Sequence, residues 1–425
     1  MIVNTQICRA AFFTTLVLFL LSLAACDFRS ASETQSCSLT NKPQPPSPVY
    51  FKNGKNPSDI PFRLVDNGML ITIVVNGLVQ LEVIFDSGFP MNGVLVTNPE
   101  TVKKLNLQYV GKTPLGGAGD NLRTAKIAMD GVIGLTGVKF TNQYLLVTLQ
   151  PEAFSDWPLD GVIGGTILNS CVVVINHDEH IINLYNSTYF DDTNSGEEIE
   201  LLFSQGIPVV DATAYSCNQS GVDVKLLFDT GADVPLSFHN DVGSGFNIPD
   251  DIQECYISYG IGGAVYGKWG RTDSLYIGDF KIRDILTVFP TRGFDDVVTL
   301  LGQDGFFGIL LQNRFNITFN YIEQKMYLNP NNKYAQLFEY NMAGLVLMSD
   351  KNGFRRVKDV VEESSGDIAG IKYGDLLIAV NNIEMHNLSG PELEELFRQE
   401  GRELILTLVR DSKQFQLSLV LERLF

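Results

Sequence analysis

Over most of its length the chain carries apolar residues in short runs broken by glycine turns, a pattern of strands rather than helices. The runs at residues 69–75 and 78–85, with Asn76-Gly77 between them, predict a hairpin. Further strands are expected at 144–149 and 171–176. Beyond residue 340 the pattern changes. Strands at 343–347 and 357–361 precede a helical turn at 367–371 and a turn entering a strand at 374–381. A helix is expected at 391–398, with Ser389 or Gly390 at its start and Pro391 in the first turn. Strands at 404–409 and 415–421 close the chain. The expected fold class is therefore mostly β, with a smaller α+β unit at the carboxy terminus.

The β part repeats itself. Phe85-Asp86-Ser87-Gly88 follows one apolar run and Phe228-Asp229-Thr230-Gly231 follows another. Gly116-Gly117-Ala118-Gly119 matches Gly260-Ile261-Gly262-Gly263, and Asp160-Gly161-Val162-Ile163-Gly164 matches Asp304-Gly305-Phe306-Phe307-Gly308, each pair 144 residues apart. Asn176, Glu179 and Leu184 match Asn320, Glu323 and Leu328 at the same offset. Read singly, each motif is ordinary turn chemistry. In one order, and with the aspartates 143 residues apart and the other landmarks 144, they make residues 58–190 and 197–332 two copies of a single β unit, with a further unit at 338–425.

Composition and charge narrow the function. With 425 residues and 45% apolar content the chain is long enough for about three domains. A formal net charge of -18 excludes nucleic acid as a partner, because phosphates would repel it. The four histidines, His177, His180, His239 and His386, and cysteines Cys37, Cys171, Cys217 and Cys255 fit no metal-ligand spacing, so neither a metal nor another cofactor is expected. A disulfide between Cys217 and Cys255 is one of several open pairings.

At the amino terminus, Arg9 precedes an apolar run from 10 to 25 that is too short to span a bilayer and reads as an export signal. Leu23-Ala24-Ala25-Cys26 resembles the lipobox of bacterial lipoproteins, which implies cleavage after residue 25, acylation of Cys26 and attachment to a membrane of the cell envelope, facing the periplasm. Asp27 favours the inner membrane in that family. The alternative is a soluble exported protein cut near the same small residues. Residues 26–57, rich in Ser and Pro, are expected to form a flexible tether.

The order of the repeated motifs resembles the pepsin and retroviral-protease superfamily of aspartic peptidases, over both halves. The resemblance implies a bilobal fold by internal duplication, in which each half supplies one carboxylate: Asp86 and Asp229 would form a dyad within one chain, with no partner subunit. Ser87 and Thr230 would brace the two loops, and Gly88 and Gly231 would allow tight turns beside the carboxyls. Gly116, Gly117 and Gly119, with Gly260, Gly262 and Gly263, would be the tips of two flaps. Two sequence features depart from the family: Phe89-Pro90 stands where a small residue is common, and Ala232 lacks a hydroxyl for the carboxylate, which points to a mildly acidic or near-neutral optimum.

The last unit resembles a PDZ domain of bacterial envelope proteases, most specifically in Gly370-Ile371-Lys372-Tyr373-Gly374-Asp375. That resemblance places Gly344, Leu345 and Val346 in a loop that holds a peptide carboxylate, and implies peptide C-termini or extended segments as partners. The expected function is an envelope aspartic endopeptidase acting on polypeptides. The alternative is a catalytically inactive, peptide-binding envelope lipoprotein in which the PDZ domain is the working part.

Overall fold

The structure is a computed structural model and describes residues 42–52, 58–65, 67–148, 159–216, 220–239, 254–292, 302–349, 354–388 and 390–423. The export signal, Cys26, Cys217 and the chain's last two residues lie outside the described residues, as does any pairing of Cys217; Cys171 is a buried free thiol. The chain divides into two compact units, with the break between Glu339 and Tyr340.

In the larger unit the two copies build the same core by the same pairings. In the first copy, strand Val79–Phe85 runs parallel to Gly161–Ile163, with Val83 opposite Gly161 and Phe85 opposite Ile163. Gly161–Ile163 pairs antiparallel with Gly93–Val96, which runs parallel to Val138–Thr148. In the second copy Val222–Asp229 runs parallel to Gly305–Gly308, which pairs antiparallel with Leu236–Phe238, and Leu236–Phe238 in turn runs parallel to Phe280–Arg292. The hairpin expected from Asn76-Gly77 forms between Gly68–Val75 and Val79–Phe85.

The two copies are joined in one six-stranded sheet, with Ser58–Pro61, Ile181–Tyr185 and Val172–Asn176 from the first and Phe315–Asn320, Lys325–Pro330 and Glu197–Glu200 from the second. At the seam Val174 faces Thr318, its own repeat mate, so the local two-fold axis passes between them. Phe228 stacks on Phe307 at 4.8 Å and meets Phe319 edge-on at 5.7 Å, tying the strand that carries Asp229 to this sheet.

Two expected boundaries are corrected. Residues 42–51 are not free tether. The amide of Asn92 donates to Pro45 O at 2.8 Å, Ser47 N–H donates to Ser170 Oγ at 3.0 Å, and Val49–Phe51 pairs with Val138–Phe140. A proline-rich run has few donors, but its carbonyls still accept, and the first copy supplies donors to Pro45 O and Pro48 O and an acceptor for Ser47 N–H. At the other end the last unit starts at Tyr340, not 338. Phe338 is buried under the Arg314 guanidinium, 3.5 Å above its ring, and Arg314 also donates to the carbonyls of Lys333, Tyr334, Gln336 and Leu337.

The smaller unit is a twisted sheet in the order Leu345–Ser349, Arg355–Val360, Leu376–Val380, Glu403–Arg410 and Lys413–Val420, with the helix Gly390–Phe397 against it. Leu345, Val357, Leu377, Leu393, Phe397, Leu406 and Leu419 share its core. Asp375 is fully buried and receives Arg410 Nε at 2.6 Å and Lys372 N–H at 2.9 Å, which locks the turn before Leu376–Val380.

Candidate active site

Each copy's parallel strand ends in an aspartate, and both aspartates are completely buried. Upstream, the strands are held by a second aspartate in each copy: Glu82 N–H donates to Asp160 Oδ2 at 2.9 Å and Lys225 N–H to Asp304 Oδ2 at 2.7 Å. The Asp-Gly pairs of the third motif are therefore braces. Gly161 and Gly305 must be glycine, since a Cβ on either would strike Leu95 O or Ser237 O on the neighbouring strand.

The loops that follow interlock reciprocally. Ser87 N–H donates to Thr230 Oγ1 at 2.8 Å, and Thr230 N–H returns a bond to Ser87 Oγ at 2.9 Å. Each hydroxyl then donates across to the residue before the other aspartate, Ser87 Oγ to Phe228 O at 2.7 Å and Thr230 Oγ1 to Phe85 O at 3.1 Å. Gly88 N–H donates to Asp86 Oδ1 at 2.7 Å and Gly231 N–H to Asp229 Oδ1 at 2.8 Å. The two carboxyls are brought together by the glycines: a Cβ on Gly88 would sit 2.8 Å from the oxygens of Asp229, and one on Gly231 2.5 Å from the carboxyl carbon of Asp86. Oδ2 of each aspartate is buried without a hydrogen-bond partner among the described residues.

Phe89-Pro90 leaves this geometry intact. Phe89 N–H closes the turn on Asp86 O at 3.1 Å, as Ala232 N–H does on Asp229 O at 3.3 Å. Gly165 N–H donates to Phe89 O and Ile309 N–H to Ala232 O, both at 2.7 Å. The Phe89 ring is fully buried in the first copy's core.

Burial pushes the Asp86 carboxyl well above the usual carboxylate range, and the Asp229 charge beside it adds to the rise. Burial also pushes Asp229 up, to about 6, held back by the N–H of Gly231, by Asp86 and by the N–H of Gly88. The two titrate as a unit. Beneath them Tyr321 is buried among Phe203 and Phe319, and burial followed by the charges of Asp229 and Asp86 raises its hydroxyl well above the ordinary phenol value. Its repeat mate, His177, is buried against Phe62 and pushed down to about 3 by burial. Neither residue was singled out from sequence, although both directly follow the matched Asn176 and Asn320.

The two Gly-rich tips meet. Gly262 N–H donates to Ala118 O at 2.8 Å, and Asn121 N–H donates to Gly262 O at 3.0 Å. A Cβ on Gly119 or Gly260 would run into the other tip's backbone, and Gly119 and Gly263 hold φ of +103° and +124°. Each tip buries a side chain in the opposite copy. Ile261 packs with Phe89, Met91 and Leu115, and Ala118 packs with Ala232, Val234 and Phe306. The tips thus lie against the segments that follow directly on the two aspartate loops.

In the smaller unit Gly344 sits at φ +68° and gives its N–H to Asn341 O at 2.9 Å, so it serves the turn rather than offering a free donor. Asn341 Oδ1 takes the Ala343 N–H at 3.1 Å. Leu345 is buried in the core, and Leu345–Ser349, which includes Val346, is an edge strand paired only with Arg355–Val360 among the described residues. No group of three or more His, Cys, Asp or Glu among the described residues is placed to hold a metal ion.

A family model described as a PDZ domain matches residues 356–410. The smaller unit contains a PDZ domain. Its match starts after Gly344–Val346 and ends with the strand Glu403–Arg410, so it covers the Asp375–Arg410 pair and the helix but not the loop. PDZ domains bind peptide C-termini or extended segments, and the match suggests peptide binding or regulation for this unit. No curated protein matches the chain.

Proposed function

We propose that the larger unit is an aspartic endopeptidase of the bilobal pepsin and retroviral-protease kind, with Asp86 and Asp229 as its dyad. The observation that carries this reading is the pair of fully buried carboxyls, each held by its own loop's glycine N–H and pressed by the opposite loop's glycine. Burying two acids side by side destabilises a fold, and a scaffold with no use for them would be better served by apolar residues.

The pair shares one proton, so one carboxyl serves as the acid while the other, ionised, serves as the base. The ionised carboxylate takes a proton from water as the water oxygen attacks the peptide carbonyl carbon, and the protonated carboxyl gives its proton to the carbonyl oxygen. The tetrahedral diol then collapses with cleavage of the C–N bond: one of its hydroxyls returns a proton to the carboxylate that had acted as acid, and the proton held by the base carboxyl leaves on the amine. The raised pair supports the mildly acidic or near-neutral optimum expected from Ala232. The PDZ unit captures extended or C-terminal segments at its open edge strand. A captured chain is then concentrated near the catalytic unit. Export and acylation at Cys26 would hold the enzyme on the periplasmic face of the cell envelope, with Asp27 favouring the inner membrane.

A statine-type peptide, which mimics the tetrahedral species, tests the reading by calorimetry on chain lacking residues 1–26. Binding that is lost in both Asp86→Asn and Asp229→Asn is the expected result. Binding unchanged by both substitutions would move the ligand to the PDZ unit and favour the non-catalytic reading.

A further inference from the structure

At the tips the side-chain donors come from the first copy, although the two copies share one pattern of strands. Asn121 gives both its N–H and its side-chain amide to Gly262 O, the latter at 2.7 Å. Arg123 Nε donates to Ile261 O, and the same guanidinium hydrogen-bonds the Tyr259 hydroxyl, whose ring is buried. All these side-chain bonds run from the first copy to the second. By the strand registers their repeat mates are Gly263 and Val265, which have no polar side chain to return them.

We infer that Arg123, with Asn121, is a clasp that holds the two tips shut across the aspartate pair and limits how often an extended polypeptide is admitted. Resting on the endopeptidase reading, it adds to that reading a positioning residue that touches neither aspartate. The reason is geometric. Ile261 and Ala118 fill the space above the segments that follow the aspartate loops, and the tip amide of Gly262 is already spent on Ala118 O. A polypeptide reaching the carboxyls must displace both. The Arg123 bonds to Ile261 O and Tyr259 are then the ones that must break, and a charged donor makes them stronger than the neutral tip bonds beside them. Apparent affinity for substrate is reduced by the fraction of time the tips are closed.

Hydrogen exchange on the full soluble chain reads the clasp directly. In Arg123→Ala the backbone amides of 259–263 should exchange about tenfold faster than in the unaltered chain, with Arg123→Lys in between and the core strands at 81–85 and 224–228 unchanged. The same variant should bind a statine-type peptide with an association rate raised about tenfold. Unchanged tip exchange in both variants overturns the clasp, as does faster exchange with no gain in association rate when the unaltered chain binds the peptide. Exchange measured in an Asp229→Asn background keeps the two ideas apart: tips loosened there by Arg123→Ala uphold the clasp even if the chain hydrolyses nothing. Hydrolysis together with tips indifferent to Arg123 would leave the endopeptidase and remove the clasp.

Discussion

The base of the candidate site and its roof obey different rules. At the base the two copies give and receive equally: Ser87 and Thr230 exchange matching bonds, and each glycine presses the other copy's carboxyl. At the roof the first copy donates the side-chain bonds and the second accepts them through the Gly262 and Ile261 carbonyls and the Tyr259 hydroxyl. A duplicated sequence retains two-fold equality where both copies must supply the same chemical group. Where the two tips share one space above the site, the equality is dropped, since a single side chain at the axis serves both.

That contrast can be broken in order of expected effect. Gly88→Ala and Gly231→Ala should each cost hydrolysis on the order of 100-fold, because the added methyl at 2.8 or 2.5 Å must displace the facing carboxyl. Steady-state kcat with an unfolded polypeptide checks this, and a large loss in only one copy would end the claim of equality at the base. Thr230→Val leaves Ser87 N–H and Phe85 O unpaired in a buried site, and Ser87→Ala does the same to Thr230 N–H and Phe228 O. Urea unfolding should show comparable losses of about 2–4 kcal/mol for the two, with Thr230→Ser much milder.

The aspartates themselves should weaken the fold at neutral pH. Asp229 is raised from 3.8 to about 6, so the folded state holds the proton more tightly than the unfolded chain does. The penalty is absent below about pH 4, grows as pH rises to about 6 and stays constant above that, reaching on the order of 2–3 kcal/mol. Asp229→Asn should therefore unfold at a higher temperature than the unaltered chain at pH 7 and show little difference at pH 4. The smallest effect belongs to the roof: Asn121→Ala should speed tip exchange only a few-fold, because the Asn121 N–H to Gly262 O remains. Val265→Ala, at the mate of Arg123, removes no tip hydrogen bond and should leave the exchange of residues 118–123 unaltered.

How much of this was legible in the sequence depended on whether a feature was local. The Asp-Ser-Gly and Asp-Thr-Gly triplets, the Gly-rich tips and the strand, turn and helix order of the PDZ unit are runs of neighbouring residues. Their chemistry is complete within a few positions, and the 144-residue echo tied the first two together. The seam of Val174 with Thr318 left no such mark, because two β-branched residues in apolar strands look like any others until the chain folds back. Asn121 and Arg123 read as ordinary polar positions beside a turn. The signal was present only as a difference, since their mates are Gly263 and Val265. The docking of residues 42–51 was misread because composition reports what a segment cannot bury itself, not what a neighbour can offer to its carbonyls.

Hydrolysis of an unfolded polypeptide by the soluble chain, followed by mass spectrometry of the products from pH 4 to 7, tests the central claim most directly. New termini should appear with the unaltered chain, and both Asp86→Asn and Asp229→Asn should reduce their rate by about a thousandfold or more, since neither carboxyl can serve without the other. Cleavage that survives either substitution within about tenfold would contradict a shared dyad.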